Sequence, residues 1–252
     1  MAPGNDPWLR RFHQGPDEGP SLVLFPHAGG AATYFHPLSA LLAPTVQALA
    51  VQYPGRQDRR SEPPAATIGE LADRTAAALL TLTDGPLALF GHSMGALVAY
   101  EVARRLEDDP RGGPVALFAS GRRAPSIARA ETARSDHDDA GLLAELKRLS
   151  GTDHSLLDDE ELVQMILPAL RADYAALRLY RHDPDVPPLT CPVVTLVGTS
   201  DPVTSLDDAR AWEGHTTGGF ERLVFPGGHF YLTQHQPEIA SALSVRLRTA
   251  VS

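Results

Sequence analysis

The sequence predicts an α/β fold: a mostly parallel central sheet flanked by helices, with a helical segment inserted late in the chain. Three observations predict it. Short apolar runs bounded by turn residues recur between segments of helical periodicity, the signature of parallel strands joined by crossover helices. One of those runs leads through a glycine-flanked turn straight into a helical pattern. Finally, about seventy residues between two late strands carry helix patterns only.

Six runs have the length and apolarity of buried strands: 21–25, 47–52, 87–90, 115–120, 193–197 and 222–225. Residues 8–13 add a candidate edge strand. Helical spacing covers 35–42, 68–82, 94–106, 205–212 and 237–250, each between two strands or after the last. Within the long interval, 138–149 and 158–180 read as helices, both opening on acidic residues where the helix dipole favours them. Pro168 is expected to kink or divide the second. The whole chain, 1–252, reads as a single domain, with 123–187 as an inserted helical lid over the carboxyl ends of the strands, where open α/β folds bind ligands.

With 252 residues, 43% hydrophobic and 21% charged, the chain can bury a sizeable core. No apolar stretch approaches the roughly 20 residues of a membrane helix. The amino terminus has no basic start followed by an apolar core, so a cytoplasmic protein is expected. A single cysteine, Cys191, precludes an internal disulfide and fits that reducing compartment. A net charge of −9 argues against nucleic acid as the main partner.

The turn Gly91-His92-Ser93-Met94-Gly95 carries the chemistry. With no Cβ at 91 and 95, strand and helix can approach closely while Ser93 takes a strained position with its hydroxyl outward. A serine hydroxyl becomes a nucleophile only when a base takes its proton, and the base needs an orienting carboxylate. Asp201 follows the apolar run 193–197, where such an acid belongs; Asp207 and Asp208 fall in the next helix and suit capping. Of six later histidines, His229 lies directly after the last strand, in Pro226-Gly227-Gly228-His229, with His235 as the alternative. His137, His154 and His182 fall in or beside the insertion, where solvated or capping roles are expected. An oxyanion hole needs the backbone N–H after the nucleophile, Met94, and one from the loop Phe25-Pro26-His27-Ala28-Gly29-Gly30. Ala28 is the chosen second donor, with His27 as the alternative or as a pocket residue. Met165 and Tyr174 join His27 as candidate substrate contacts, within an apolar stripe that also suits a plain helical core.

Taken in order, Phe-Pro-His-Ala-Gly-Gly, Tyr53-Pro54-Gly55-Arg56, Gly-His-Ser-Met-Gly and Gly-Gly-His-Phe resemble the stand-alone type II thioesterases of polyketide synthase and nonribosomal peptide synthetase systems. These belong to the α/β-hydrolase superfamily, and the likeness runs from about Trp8 to the final helix. It implies hydrolysis of aberrant or stalled acyl thioesters from the phosphopantetheine arm of an acyl or peptidyl carrier protein, in antibiotic biosynthesis. It also implies Ser93 as nucleophile, His229 as base, Asp201 as orienting acid, and the Met94 and Ala28 amides as oxyanion donors. No metal and no cofactor of the chain's own is expected, since no paired-His helix, P-loop or G-x-G-x-x-G occurs. No fused carrier site is seen, so the substrate is expected to arrive on another protein, to a monomeric enzyme. A transacylase, a cyclising thioesterase or an oxyester hydrolase would use the same triad, and a noncatalytic binding protein would use only the pocket. Two arginine groups, Arg56/Arg59/Arg60 and Arg122/Arg123/Arg129, are candidates for guiding an acidic carrier.

Overall fold

In the computed structural model, residues 6–82, 85–107, 109, 112–127, 139–150 and 160–250 are described. Seven strands form one sheet: β1 (Leu9–Arg10), β2 (Ser21–Phe25), β3 (Gln47–Val51), β4 (Leu87–His92), β5 (Ala116–Ser120), β6 (Val193–Gly198) and β7 (Phe220–Phe225). Their spatial order is β1-β3-β2-β4-β5-β6-β7. All neighbours run parallel except β1, which pairs antiparallel with β3. The apolar run at the amino terminus thus shrinks to two paired residues, enough to cover the outer edge of β3.

Among the described residues, seven α-helices accompany the sheet: α1 (His36–Leu42), α2 (Ile68–Leu82), α3 (Met94–Glu107), α4 (Asp139–Ser150), α5 (Glu160–Leu179), α6 (Leu206–Arg210) and α7 (Gln236–Ala250). The inner strands β2 to β6 are mostly apolar because both faces are covered, whereas the edge strand β7 keeps Glu221 and Arg222 exposed. Leu89 of β4, with Val23, Phe25, Leu49 and Val51, packs against α2 and α3. Phe90, with Leu22, Leu24, Ala48 and Phe118, packs against α1 and α7. Alternation along each strand divides the core into these two layers.

Two expected elements are shorter or different in kind. The pattern at 35–42 begins as a 3-10 turn over Ala32–Phe35 before α1. The one at 205–212 gives a five-residue α6 and then a 3-10 turn, Ala211–His215. Ser205 and Asp208 close a reciprocal cap at the start of α6, so Asp208 does serve a capping role. Trp212 is fully buried and donates its indole N–H to the Arg122 carbonyl at 2.8 Å. Cys191, just ahead of β6, is buried, and burial pushes its thiol up to about 12.

Pro168 neither divides nor ends α5, which runs on from Glu160 to Leu179. A mid-helix proline costs roughly 3 kcal/mol. Here its ring faces solvent, whereas Leu167, Ala169 and Leu170 beside it are buried. Packing of that inner face holds the helix through the missing hydrogen bond. Among the described residues, no helix is long and apolar enough to cross a membrane.

Candidate active site

The site forms at the carboxyl ends of β2, β4, β5, β6 and β7. Ser93 follows β4 at φ +55°, a left-handed conformation that side chains seldom adopt. Its N–H donates to the Ser120 carbonyl at 2.8 Å, and its carbonyl accepts from Ala96 N–H at 3.1 Å, which pins the turn between β5 and α3. The flanking glycines are sterically required. A Cβ on Gly91 would stand 2.1 Å from the Gly95 oxygen, and one on Gly95 would stand 2.0 Å from the Phe25 oxygen. The second contact also brings the loop after β2 against the start of α3. Among the described residues, neither the Ala28 nor the Met94 N–H has an intramolecular acceptor.

Asp201 and His229 meet across the ends of β6 and β7. Thr199 and Ser200 donate to the Phe225 and Gly227 carbonyls, both at 2.8 Å, lacing the two loops together. Gly198 permits that approach, since a Cβ there would lie 2.3 Å from the Gly228 oxygen. His229 Nδ1 and Asp201 Oδ2 are 2.8 Å apart, with side chains 1% and 0% exposed. The other Asp201 oxygen accepts from the Val203 and Thr204 amides at 2.9 and 3.2 Å. This arrangement saturates the carboxylate and leaves imidazole Nδ1–H to donate to it. His229 Nε2 is buried without a hydrogen-bond partner among the described residues. His235, the alternative base, is occupied elsewhere: its Nε2 is 3.1 Å from the Pro226 carbonyl.

One participant had no reading from the sequence. His92, inside the serine turn, is fully buried, with its ring centroid 5.0 Å from that of His229. Its Nδ1 lies 2.9 Å from Ser120 Oγ, which in turn is 2.6 Å from the Tyr231 hydroxyl. Gly121, at φ +58°, makes room for both rings, since a Cβ would come within 2.7 Å of His92 Cε1 and 3.3 Å of His229 Cε1. The available signal was the histidine in the turn itself, flanked by a strand residue that faces the core. His27 packs edge-on against Tyr34 and Phe230, at 4.6 and 4.9 Å between centroids. Burial, and then the neighbouring His229 and Arg56, pushes its pKa down to about 3. Burial likewise holds His92 well below the ordinary histidine range, with His229 and His27 adding to the shift. Both rings are therefore neutral at physiological pH.

The other candidates separate. Tyr174 is half-buried on α5 and interacts electrostatically with Arg148 of α4, which also feels Asp201. Met165 is 64% exposed, outside the packed face formed by Val163, Leu167 and Leu170. His182 and His215 meet at 4.9 Å between centroids, with Tyr100 and Trp212 beside them. His137, His154 and Arg129 lie outside the described residues. The arginine reading needs correction at two positions. Arg56 and Arg59 are buried, not displayed: Arg56 pairs with Asp173, and Arg59 holds both oxygens of Glu62 at 2.8 and 2.6 Å while lying over the Trp8 ring. Guanidinium groups are favoured in such roles because their fixed fork satisfies several acceptors at once.

A strained serine turn between strand and helix, with a buried acid–histidine pair at the ends of later strands, defines an α/β-hydrolase. Comparison with known proteins takes this further: residues 20–247 match the family described as "Thioesterase domain", and the chain belongs to it. It is thus an enzyme that hydrolyses thioesters. A probable cadicidin biosynthesis thioesterase from Streptomyces griseus is 50% identical over 94% of this chain, which spans 66% of that protein's length. Thioesterase PikA5 from Streptomyces venezuelae is 48% identical over 95% of this chain and 85% of its own. The structure of the type II thioesterase BorB, from the borrelidin biosynthetic cluster, superposes with a TM-score of 0.90 at 46% identity. That match covers 96% of this chain and 98% of BorB.

Proposed function

We propose that this chain is an editing thioesterase that clears aberrant or stalled acyl groups from the phosphopantetheine arm of carrier proteins, with Ser93, His229 and Asp201 as its triad. The observation that carries the mechanism is the buried His229–Asp201 pair whose Nε2 is left without a partner among the described residues, beside the strained Ser93 turn. Likeness to a type II thioesterase from a biosynthetic cluster supports the substrate class.

Asp201 accepts the Nδ1–H of His229 and so holds the tautomer whose Nε2 can take a proton. Ser93 Oγ attacks the thioester carbonyl as its proton passes to Nε2, and the developing oxyanion is held by the Ala28 and Met94 amides. The C–S bond then breaks, and the pantetheine thiolate recovers the proton from the imidazolium. Water attacks the acyl-serine, giving its proton to Nε2; collapse releases the carboxylic acid and returns the proton to Ser93. Thioesters suit this machinery because their resonance is weak and their leaving thiolate is good. His229 Nε2 has no partner among the described residues, and its hydrogen bond to Ser93 forms as substrate binds, a tightening common in Michaelis complexes. Tyr174, half-buried on α5, is our candidate contact for the acyl group.

The test is a panel of acyl chains loaded on carrier proteins, set against the same acyl groups on N-acetylcysteamine. Faster turnover from the carrier, with free acid as product, is expected; an ester or lactone product would replace hydrolysis by transfer. Ser93→Ala is expected to abolish both turnover and labelling by a fluorophosphonate, an effect on the order of 10⁴-fold or more. Retained turnover in that variant would remove the mechanism.

A further inference from the structure

The loop that follows β2 is held by the insertion, through a residue 144 positions further along the chain. Gly29 N–H donates to Asp173 Oδ2 of α5 at 2.7 Å. The same oxygen accepts from Nη2 of Arg56 in a buried ion pair. The Arg56 fork turns back on the loop, with Nε donating to the Gly30 carbonyl at 2.9 Å and Nη1 to the Pro54 carbonyl at 2.8 Å. Gly29 N–H and Gly30 C=O are thus both claimed by one charge pair. Gly30 N–H in turn donates to the His27 carbonyl at 2.9 Å, closing a turn around Ala28. Leu170, one turn before Asp173 and on the same helix face, caps the loop: a Cβ on Gly29, at φ +73°, would lie 2.8 Å from its Cδ1.

A buried charge pair is weak evidence for stability, since apolar side chains of similar volume often serve as well. What this pair does that apolar residues could not is fix one N–H and one C=O of a glycine-rich loop. We propose that Arg56 and Asp173 are positioning residues that aim the Ala28 amide at the oxyanion, so that α5 of the insertion belongs to the transition-state machinery. The inference rests on Ala28 serving as an oxyanion donor. It has a consequence for the reaction: hydrolysis is competent only while α5 is seated on the loop, and an acyl arm that holds α5 away from Gly29 meets a disabled site.

The experiment compares wild type with Asp173→Asn and with the double substitution Arg56→Met/Asp173→Leu. The double variant removes both charges together and so avoids stranding one in the core. Each is assayed with a short acyl N-acetylcysteamine thioester and with the trifluoromethyl ketone of the same acyl chain, whose tetrahedral adduct on Ser93 needs the oxyanion donors. Expected is a kcat loss of about ten- to a hundredfold with KM little changed, in line with a misplaced catalytic dipole. Ketone affinity should fall by the same factor as kcat/KM. Arg56→Lys should not restore kcat, because a single ammonium cannot replace the fork. Arg171→Ala, which breaks only an exposed pair with Asp139 on α4, serves as the control and should match wild type. A folded double variant with wild-type kcat would overturn the inference, as would a loss confined to KM and melting temperature with ketone affinity tracking KM. Ser93→Ala run alongside separates the two readings. If it still turns over thioester, the mechanism itself fails; if it is dead while the double variant is fully active, only the tether fails.

Discussion

The ends of β4, β6 and β7 and the insertion above them solve different problems with different materials. At the strand ends, backbone meets backbone at distances only glycine allows: Gly91 on Gly95, Gly95 on Phe25, Gly198 on Gly228. In the insertion the contacts are made by side chains: α4 and α5 are joined by the exposed Arg171–Asp139 pair, and α5 reaches the loop backbone through Leu170 and Asp173. The first region cannot adjust without breaking, because a backbone clash has no rotamer to relieve it. The second can shift by exchanging side-chain contacts. Chemistry that requires fixed geometry sits in the first, and the second reaches it through the Gly29–Asp173 hydrogen bond.

The sharpest way to test this division is Asp201→Asn. The amide would present an N–H to His229 Nδ1, forcing the proton onto Nε2 where the base must accept. A loss of about 10³–10⁴ in kcat is expected at almost unchanged melting temperature. Loss of the fold along with activity would mean that the strand ends are held by this pair instead of by their glycines.

A second effect concerns three buried histidines, two beside the site and one apart from it. In the unfolded chain His27, His92 and His215 take up protons below about pH 6.5. In the folded protein burial keeps His27 neutral down to about 3 and His215 down to about 4, and holds His92 low as well. The unfolded state therefore binds more protons in acid. This contribution to stability is complete above pH 6.5 and declines as pH falls toward the folded values. Denaturation midpoints should drop between pH 6.5 and 4.5, and His92→Asn should flatten that slope by up to about 1.4 kcal/mol per pH unit. An unchanged slope in the variant would show that His92 is protonated in the fold.

The smallest expected effect lies in the insertion. Pro168→Ala restores a backbone donor on the solvent side of α5 and should raise stability by about 1–3 kcal/mol. Turnover should stay as it was, read by thermal melting beside a thioester assay. A large change in kcat instead would show that the proline tunes how α5 seats on the Ala28 loop.

Much of this was legible in the residues. Strand runs at 21–25 and 193–197 and the helix at 68–82 fall within a residue of their observed bounds, because a sheet buried on both faces writes itself as continuous apolar sequence. Ser93, Asp201 and His229 were placed by chain order and by glycine punctuation. Their meeting depends on the sheet order, which no local pattern contains. Arg56 and Arg59 misled because a charged residue in a loop reads as surface, and the burial of their guanidinium groups, with Asp173 for Arg56 and over Trp8 for Arg59, cannot be assigned without the fold. His92 was passed over since the turn that exposes Ser93 also turns the preceding side chain inward. The helix through Pro168 owes its continuity to which side of α5 faces solvent, and spacing alone does not supply that.

Cys191 gives a practical dividend. Its thiol is buried ahead of β6 and reluctant to ionise. Reactivity follows the thiolate, so the folded enzyme stays silent toward thiol reagents. A chromogenic disulfide can therefore count each pantetheine or N-acetylcysteamine thiol as it is released, without a background from the enzyme. The same silence makes the natural chain a ready host for spectroscopic reporters. A cysteine introduced at the exposed position 165 would take a fluorophore on α5 alone, and its signal would follow the helix as substrate enters.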